Sequence, residues 1–178
     1  MKRIKLLDRE FKLSIPFSEI DGAITKIADK MNTELADQNP LLVCVLNGSF
    51  MFAADLMKKL DFPCQISFVK LASYRGTETT GNVKEIIGLT ENIEGRTIVI
   101  LEDIIDTGIT IDKILADLSE FKPKALKVAT MLFKPEACKG DFKVDYVGIE
   151  IPNDFIVGYG LDYDGYGRNL PDIYTVVE

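Results

Sequence analysis

One continuous run, Thr97 to Ile111, constrains the fold of this chain more than any other segment. It opens with five residues of buried-strand character, reaches the adjacent carboxylates Glu102 and Asp103, and passes through a short glycine-bearing turn into a helical pattern. Acidic side chains at the end of a parallel strand, next to a turn that opens a helix, can bind hydroxyl groups and a phosphate together. The run therefore indicates an α/β fold and a phosphorylated sugar as ligand.

Strand and helix patterns alternate along the rest of the chain. Apolar residues at three- and four-residue steps predict a helix that begins near Ser18, as its N-cap, and ends near Pro40. Two further helices are predicted, one after Ser49 and one after the acidic turn. The predicted strands cover 41–46, 64–71, 84–90, 97–101, 125–133 and 144–150. This alternation predicts a doubly wound, mainly parallel sheet, in which ligands bind beyond the carboxyl ends of strands where the strand order reverses.

The tail after Ile151 is rich in glycine, tyrosine and aspartate and predicts a small hood over the sheet. With 178 residues, 47% of them apolar, the chain is expected to form a single domain over 1–178. The core is expected at about 17–150. The hood is expected to combine the N-terminal arm, about 1–14, with the tail, about 151–178.

Composition excludes several functional classes. A net charge of −7 without any basic stripe argues against binding to nucleic acid. No apolar run approaches the roughly 20 residues that span a bilayer, and the charged N-terminus does not resemble a signal peptide. Three widely spaced cysteines fit buried thiols in a reducing compartment, so a cytoplasmic protein is expected. Because the chain has no histidine, histidine-based catalysis is excluded, and a metal would be a hard ion such as Mg²⁺.

The acidic turn has alternatives that its own residues leave open. Asp106 to Thr110 can form an anion-binding nest, or an ordinary capped turn with Thr110 as the N-cap and Gly108 at positive φ. The Asp-Thr-Gly triplet also occurs in aspartic proteases, but those enzymes need two such aspartates, and a helical pattern directly after the triplet fits them poorly. Neither a P-loop nor a G-x-G-x-x-G turn is present.

Four motifs in order resemble the type I phosphoribosyltransferases, in particular their hypoxanthine-guanine branch. VILEDIIDTGIT is similar to the family's phosphoribosyl-diphosphate signature, and VLNGSFMFAADL, 45–56, to its pyrophosphate loop. SYRGTETTG, 73–81, is similar to its flexible catalytic loop. Lys134 and the segment VGIEIPNDFIVGYGLDYDGYGRNLPDIY, 147–174, resemble its purine-binding hood. The resemblance covers nearly the whole chain.

The resemblance implies roles for the residues around the sugar phosphate. Glu102 and Asp103 would bind the ribose hydroxyls, directly or through Mg²⁺, and Asp106 would act as general base or acid at N7 of the purine. A second Mg²⁺ would bind at Asp162, and Arg168 would bind the pyrophosphate. The 5′-phosphate would be bound by the turn formed by Asp106, Thr107, Gly108, Ile109 and Thr110.

The resemblance also implies roles at the base and in two loops. Lys134 would donate to the 6-oxo group, Phe155 would stack on the base, and the carbonyl of Ile156 would accept from an exocyclic amino group, with Asp162 nearby. The alternatives are a surface lysine and ordinary core packing. Asn47 and Gly48 would form the pyrophosphate loop, at an often cis peptide; relatives often carry Lys or Arg where this chain has Asn47. Ser73 and Tyr74 would begin a mobile lid.

The implied activity is purine salvage: transfer of phosphoribosyl from phosphoribosyl diphosphate to hypoxanthine, guanine or xanthine. The implied partners are small-molecule substrates, and the family precedent is a homodimer or homotetramer, to which Met51 and Phe52 would contribute. A non-catalytic regulatory protein of the same fold, binding nucleotide or RNA, is the alternative.

Overall fold

A computed structural model describes residues 2–71 and 86–177. The chain forms two sheets. The smaller sheet contains β1 (Arg3–Leu6), β2 (Arg9–Ile15), β9 (Ile156–Val157) and β10 (Ile173–Val176) in the order β1-β2-β10-β9, with all neighbours antiparallel. It therefore joins the two ends of the chain in one layer.

The larger sheet has the order β5-β4-β3-β6-β7-β8. Its strands are β3 (Leu41–Val45), β4 (Gln65–Leu71), β5 (Ile86–Ile87), β6 (Thr97–Ile105), β7 (Ala125–Phe133) and β8 (Tyr146–Glu150). All neighbours are parallel except β4 and β5. From β3 the chain first adds β4 on one side and later β6 on the other, so the strand order reverses between β3 and β6. The prediction of a doubly wound, mainly parallel sheet is confirmed.

Helices cover both faces of this sheet. The helices α1 (Phe17–Leu35) and α2 (Phe50–Met57) pack on one face, and α3 (Ile109–Ser119) packs on the other. Successive residues of β3 point alternately into the two cores. Leu42 and Cys44 face α1 and α2, whereas Leu41 and Val43 face α3. Because both faces are covered, β3 and β6 are nearly continuous apolar runs, as expected for central parallel strands. No helix in the described ranges is long and apolar enough to cross a membrane.

The start of α1 differs from the prediction. Ser18 is not its N-cap: the helix begins at Phe17 after the extended residue Pro16, without a capping side chain of its own. Instead the backbone N–H of Phe17 donates to Asp172 Oδ1 at 3.0 Å. The cap therefore comes from the opposite end of the chain. The helix also ends at Leu35, earlier than predicted.

The smaller sheet is attached to the core by a second polar contact. The hydroxyl of Tyr159 donates to Asp55 Oδ2 on α2 at 2.7 Å, and Asp55 also pairs with Lys58 at 2.6 Å. Phe52 is fully buried in the core beside α1, so it is not available for the subunit contact that the sequence suggested. Since α2 directly follows the Asn47–Gly48 loop, the Tyr159 contact ties the hood to that loop.

Candidate active site

The acidic pair lies at the point where the strand order reverses. Cys44 of β3 is in register with Leu101 of β6, so Glu102 and Asp103 lie level with the peptide that follows β3. The pair was predicted to follow the strand, but it lies within it, because β6 stays paired with β7 as far as Ile105. Burial of two adjacent carboxyl groups at a strand-order switch marks this edge of the sheet as a ligand site.

Asp103 and Gly48 are in direct contact. A β-carbon at Gly48 would overlap Asp103 Oδ2, so only glycine leaves room for this carboxylate. A β-carbon at Gly160 would in turn overlap the carbonyl oxygen of Gly48. The cis peptide joins Leu46 to Asn47, one bond earlier than the sequence resemblance suggested. The loop after β3 is thus enclosed between the acidic pair and the hood.

A cavity of about 310 Å³ opens beside this loop. It is lined by the backbone after β3 and by predicted site residues from four separate segments: Asn47, Gly48, Glu102, Asp103, Thr110, Asp162 and Arg168. The guanidinium of Arg168 contacts Asp162 Oδ1 at 2.6 Å and donates to the carbonyl of Gly160 at 2.7 Å. Among the described lining residues Arg168 is the one cation, facing three carboxylates.

Burial dominates the electrostatics of the acidic pair. It raises the pKa of Glu102 well above its ordinary value, and the adjacent charge of Asp103 raises it further. Burial also raises the pKa of Asp103. The N–H of Ile104, which donates to Asp103 Oδ1 at 2.8 Å, and the charge of Arg168 both lower this pKa and so oppose the rise. Without a cation the two carboxyl groups therefore resist carrying two negative charges.

This donor set suits a hard divalent cation that also binds substrate. Carboxylate oxygens are the protein ligands that Mg²⁺ prefers, usually one or two of them together with phosphate oxygens and water. In residues 2–71 and 86–177 no group of three or more acidic, cysteine or histidine side chains is arranged to hold a metal ion. Within these residues, Glu102 and Asp103 are the adjacent carboxylates that could hold such an ion.

The turn between β6 and α3 presents free backbone donors. Gly108 has φ of +86°, and α3 begins at Ile109, so the predicted N-cap Thr110 is instead the second helical residue and lines the cavity. Cys138 and Phe142 pack against Gly108 in the space that a side chain would occupy. The first N–H groups of a helix lack intrahelical partners and attract anions. The turn can therefore bind a phosphate group.

Lys134 lies at the end of β7, next to this turn. Its side chain is buried, which contradicts the surface alternative, and its Nζ donates to Asp106 Oδ2 at 2.9 Å and to Asn153 Oδ1 at 3.3 Å. Its backbone N–H donates to the carbonyl of Ile105 at 2.9 Å. Asn153 was not predicted; its only signal in the sequence is a polar residue in the loop that follows β8, three positions after Glu150. Asp106 and Lys134 together present an acceptor and a donor beside the turn between β6 and α3.

The remaining predicted residues lie in the hood or outside the described ranges. Phe155 is 45% exposed and packs against Phe11 and Tyr163, whereas Ile156 is buried in β9. Asp162 lies with Arg168 at the cavity. Ser73 and Tyr74 fall outside the described residues.

Comparisons with known proteins relate this chain to one family. The model of the phosphoribosyl transferase domain family matches residues 17–164. A hypoxanthine-guanine phosphoribosyltransferase of Aquifex aeolicus is 37% identical over 99% of both chains, and a hypoxanthine-guanine-xanthine phosphoribosyltransferase of Tritrichomonas foetus is 40% identical over 90% of this chain and 88% of its own.

The chain belongs to the phosphoribosyl transferase family. Solved structures agree: a hypoxanthine-guanine phosphoribosyltransferase of Bacillus anthracis superposes with a TM-score of 0.85 and 38% identity, covering 94% of this chain and 97% of its own. The predicted type I phosphoribosyltransferase fold is therefore confirmed.

The acidic pair of this phosphoribosyl transferase should reduce the stability of the metal-free protein at neutral pH. Below the ordinary pKa of glutamic acid, 4.5, the folded and unfolded states both hold the proton of Glu102. Above it the unfolded chain releases the proton but the folded chain retains it, so stability falls as pH rises toward the raised pKa. Glu102→Gln should remove the part of this fall that Glu102 causes.

Thermal denaturation in a chelator from about pH 4 to pH 8 measures this effect. The midpoint of Glu102→Gln should exceed that of the unsubstituted protein near neutral pH and approach it at the acidic end. Glu94→Gln, at an exposed glutamate, serves as the control. A wild-type midpoint that does not fall relative to Glu102→Gln across this range would contradict the prediction.

Proposed function

We propose that this phosphoribosyl transferase joins a 6-oxopurine (hypoxanthine, guanine or xanthine) to phosphoribosyl diphosphate in purine salvage. The observation that carries the proposal is Lys134 Nζ, buried between Asp106 and Asn153 beside the phosphate-binding turn. An ammonium group donates to a 6-oxo group, whereas the 6-amino group of adenine would face it donor to donor and leave both unpaired. The names of the relatives support the same choice.

The site divides into three regions that suit the parts of the substrates. The turn Asp106 to Thr110 binds the 5′-phosphate through backbone N–H groups and threonine hydroxyls. Glu102 and Asp103 bind the ribose hydroxyls. Asn47, Gly48 and Arg168 bind the pyrophosphate, with Asn47 acting through its backbone. Arg168 already has a defined direction from its contacts with Asp162 and Gly160, so little rotamer freedom remains to be lost when pyrophosphate binds.

Mg²⁺ is the proposed cofactor, held at Glu102 and Asp103 and, for a second ion, at Asp162. It would neutralise phosphate charge that one arginine cannot balance in a cavity with three carboxylates. The residues of the chain then orient the substrates and exclude water. Ser73 and Tyr74 are proposed to begin the lid over the site.

In the proposed reaction N9 of the purine forms a bond to the anomeric carbon while the bond from that carbon to pyrophosphate breaks, with inversion. Phe155 stacks on the base, and Ile156 offers its carbonyl to an exocyclic amino group. Asp106 accepts the proton that leaves N7, and in the reverse direction it returns that proton. No side chain acts as a covalent nucleophile, so positioning and charge stabilisation supply the rate.

Incubation with phosphoribosyl diphosphate, Mg²⁺ and hypoxanthine tests this function. Inosine monophosphate and pyrophosphate should form in equal amounts, and adenine should react far more slowly. A comparison of hypoxanthine, guanine and xanthine under the same conditions measures the base preference. Absence of product with all three bases would contradict the proposal and favour the regulatory alternative.

Lys134→Ala should separate recognition of the base from recognition of the sugar phosphate. A hydrogen bond to a charged donor contributes about 1.5–3 kcal/mol, so the KM for hypoxanthine should rise about 10-fold or more, while the KM for phosphoribosyl diphosphate stays nearly unchanged. Lys139→Ala, at an exposed lysine of the following loop, is the control. Equal increases in both KM values would contradict the assigned role.

The proposal extends to the setting of the enzyme. The chain is proposed to be a single domain, with a core of about 17–150 and a hood of about 1–14 and 151–178. It is proposed to work in the cytoplasm as a homodimer or homotetramer. Three free thiols, Cys44, Cys64 and Cys138, support a reducing compartment.

A further inference from the structure

Three aromatic rings of the hood form a closed cluster. Phe11 of β2 lies 6.3 Å from Phe155 and 6.0 Å from Tyr163, measured between ring centroids. Phe155 and Tyr163 lie 5.9 Å apart with their planes at 83°. These separations are those of favourable aromatic pairs. The cluster therefore supports Phe155 while leaving 45% of that residue exposed.

A cation completes the cluster. The guanidinium carbon of Arg9 lies 5.3 Å from the Tyr163 ring centroid and 6.0 Å from that of Phe155, within the range of cation–π attraction. The Tyr163 hydroxyl donates to Asp8 Oδ1 at 2.8 Å. The hairpin of β1 and β2 thus contacts the rings of Phe155 and Tyr163 through three residues that are close in sequence, Asp8, Arg9 and Phe11.

The backbone of Phe155 is also held in place. Its carbonyl accepts a hydrogen bond from the N–H of Val176 at 3.0 Å, next to β9 and β10. The remaining freedom of Phe155 lies in its side-chain torsions, which would otherwise sample several rotamers. Contacts from Arg9, Phe11 and Tyr163 restrict these torsions.

We propose that Arg9 and Phe11 are positioning residues for the purine, because they hold the Phe155 ring in the orientation in which its exposed part stacks on the base. This inference rests on the proposed function. It assigns a role to the N-terminal hairpin, which lies outside the residues 17–164 matched by the family model. A ring that is already oriented loses less conformational entropy when the base binds. The hairpin therefore increases affinity for the base.

Kinetics of Arg9→Ala and Phe11→Leu test the proposal. Loss of the cation–π contact should raise the KM for hypoxanthine about 3-fold. Phe11→Leu should raise it by a similar factor, since a leucine keeps the core filled but gives no ring contact. The KM for phosphoribosyl diphosphate and kcat should stay unchanged. Arg3→Ala is the matched control, because Arg3 lies on the same hairpin and pairs with Glu10 at 3.5 Å.

A double-mutant cycle with Phe155→Ala distinguishes positioning from a general loss of structure. If Arg9 acts through Phe155, Arg9→Ala should have no further effect on the KM for hypoxanthine once the ring is gone. The same 3-fold increase in the Phe155→Ala background would overturn the proposal, as would an equal rise in the KM for phosphoribosyl diphosphate.

Failure of the inference and failure of the proposed function give different results. If Phe155→Ala raises the KM for hypoxanthine but Arg9→Ala and Phe11→Leu do not, the hairpin role alone is wrong. If Phe155→Ala leaves that KM unchanged, the stacking role of Phe155 is wrong and the inference fails with it. A wild-type protein that forms no nucleotide overturns both.

Discussion

Asp106→Asn should lower the turnover of hypoxanthine to inosine monophosphate on the order of 100-fold, the lower range for loss of a general acid or base. Asparagine has nearly the same shape but cannot accept the proton from N7. The substitution also removes the negative charge that pairs with Lys134 Nζ at 2.9 Å, although the amide oxygen of the new asparagine can still accept a hydrogen bond from this ammonium group. Nucleotide binding should change far less than turnover, because the proposed phosphate site at the turn uses backbone donors that the substitution leaves in place.

Steady-state turnover and equilibrium binding of inosine monophosphate measure the two effects separately. Asp112→Asn is the matched control, since Asp112 is an exposed aspartate in the first turn of α3. It should retain near wild-type turnover. Normal turnover of Asp106→Asn would show that Asp106 is not the proton acceptor.

Gly48→Ala should lower kcat/KM for phosphoribosyl diphosphate about 100-fold, a loss equivalent to about 3 kcal/mol. The added β-carbon would occupy the position of Asp103 Oδ2, so either the carboxylate or the loop after β3 must move. The carbonyl of Gly48 is in turn confined by Gly160 of the hood. Both possible movements displace a group to which the proposed function assigns a role.

Gly22→Ala is the control for this substitution. Gly22 lies within α1, with nothing within 4 Å of the position of an added β-carbon, so the variant should be more stable by about 0.5–1 kcal/mol and fully active. Gly48→Ala should bind phosphoribosyl diphosphate and Mg²⁺ weakly in calorimetry. Wild-type affinity in that experiment would contradict the account of the Gly48–Asp103 contact.

The two substitutions affect opposite parts of one site. Asp106 lies with Lys134 at the proposed base site, whereas Gly48 lies with Asp103 and Arg168 at the proposed pyrophosphate site. The two parts meet because β3 and β6 are neighbours in the sheet and because the tail returns across their carboxyl ends. Loss of either part should therefore reduce transfer, but only the first should leave sugar phosphate binding intact.

Local patterns predicted much of the larger sheet. The strand at Ala125–Phe133 was predicted with its bounds, and β3 with one extra residue, because buried parallel strands are continuous apolar runs. The capped-turn alternative placed Gly108 at positive φ, and the structure has it there, although Gly108 itself and not Thr110 is the N-cap of α3. The acidic run was recognisable for a similar reason: carboxylates directly after five buried residues are uncommon unless they bind something.

Such local patterns did not predict the contacts between segments that are distant in sequence. Ser18 was an attractive N-cap, but Asp172 performs that role from the hood. Lys134 had the pattern of a surface lysine, yet Asp106 and Asn153 allow it to be buried. Arg9 carried no signal, because its aromatic partners come from the other end of the chain.

The sequence by itself determined the alternating sheet, the acidic pair, the glycine-bearing turn before α3 and the family, since each depends on short runs whose chemistry is local. The tertiary structure decided which groups meet: Gly48 with Asp103, Arg168 with Asp162, Lys134 with Asp106, and the hairpin with Phe155. Those contacts depend on strand order and on the hood joining both chain ends. Side-chain burial and ion pairing stabilise contacts between segments that are distant in sequence, and the order of the residues alone does not give the distances between those segments.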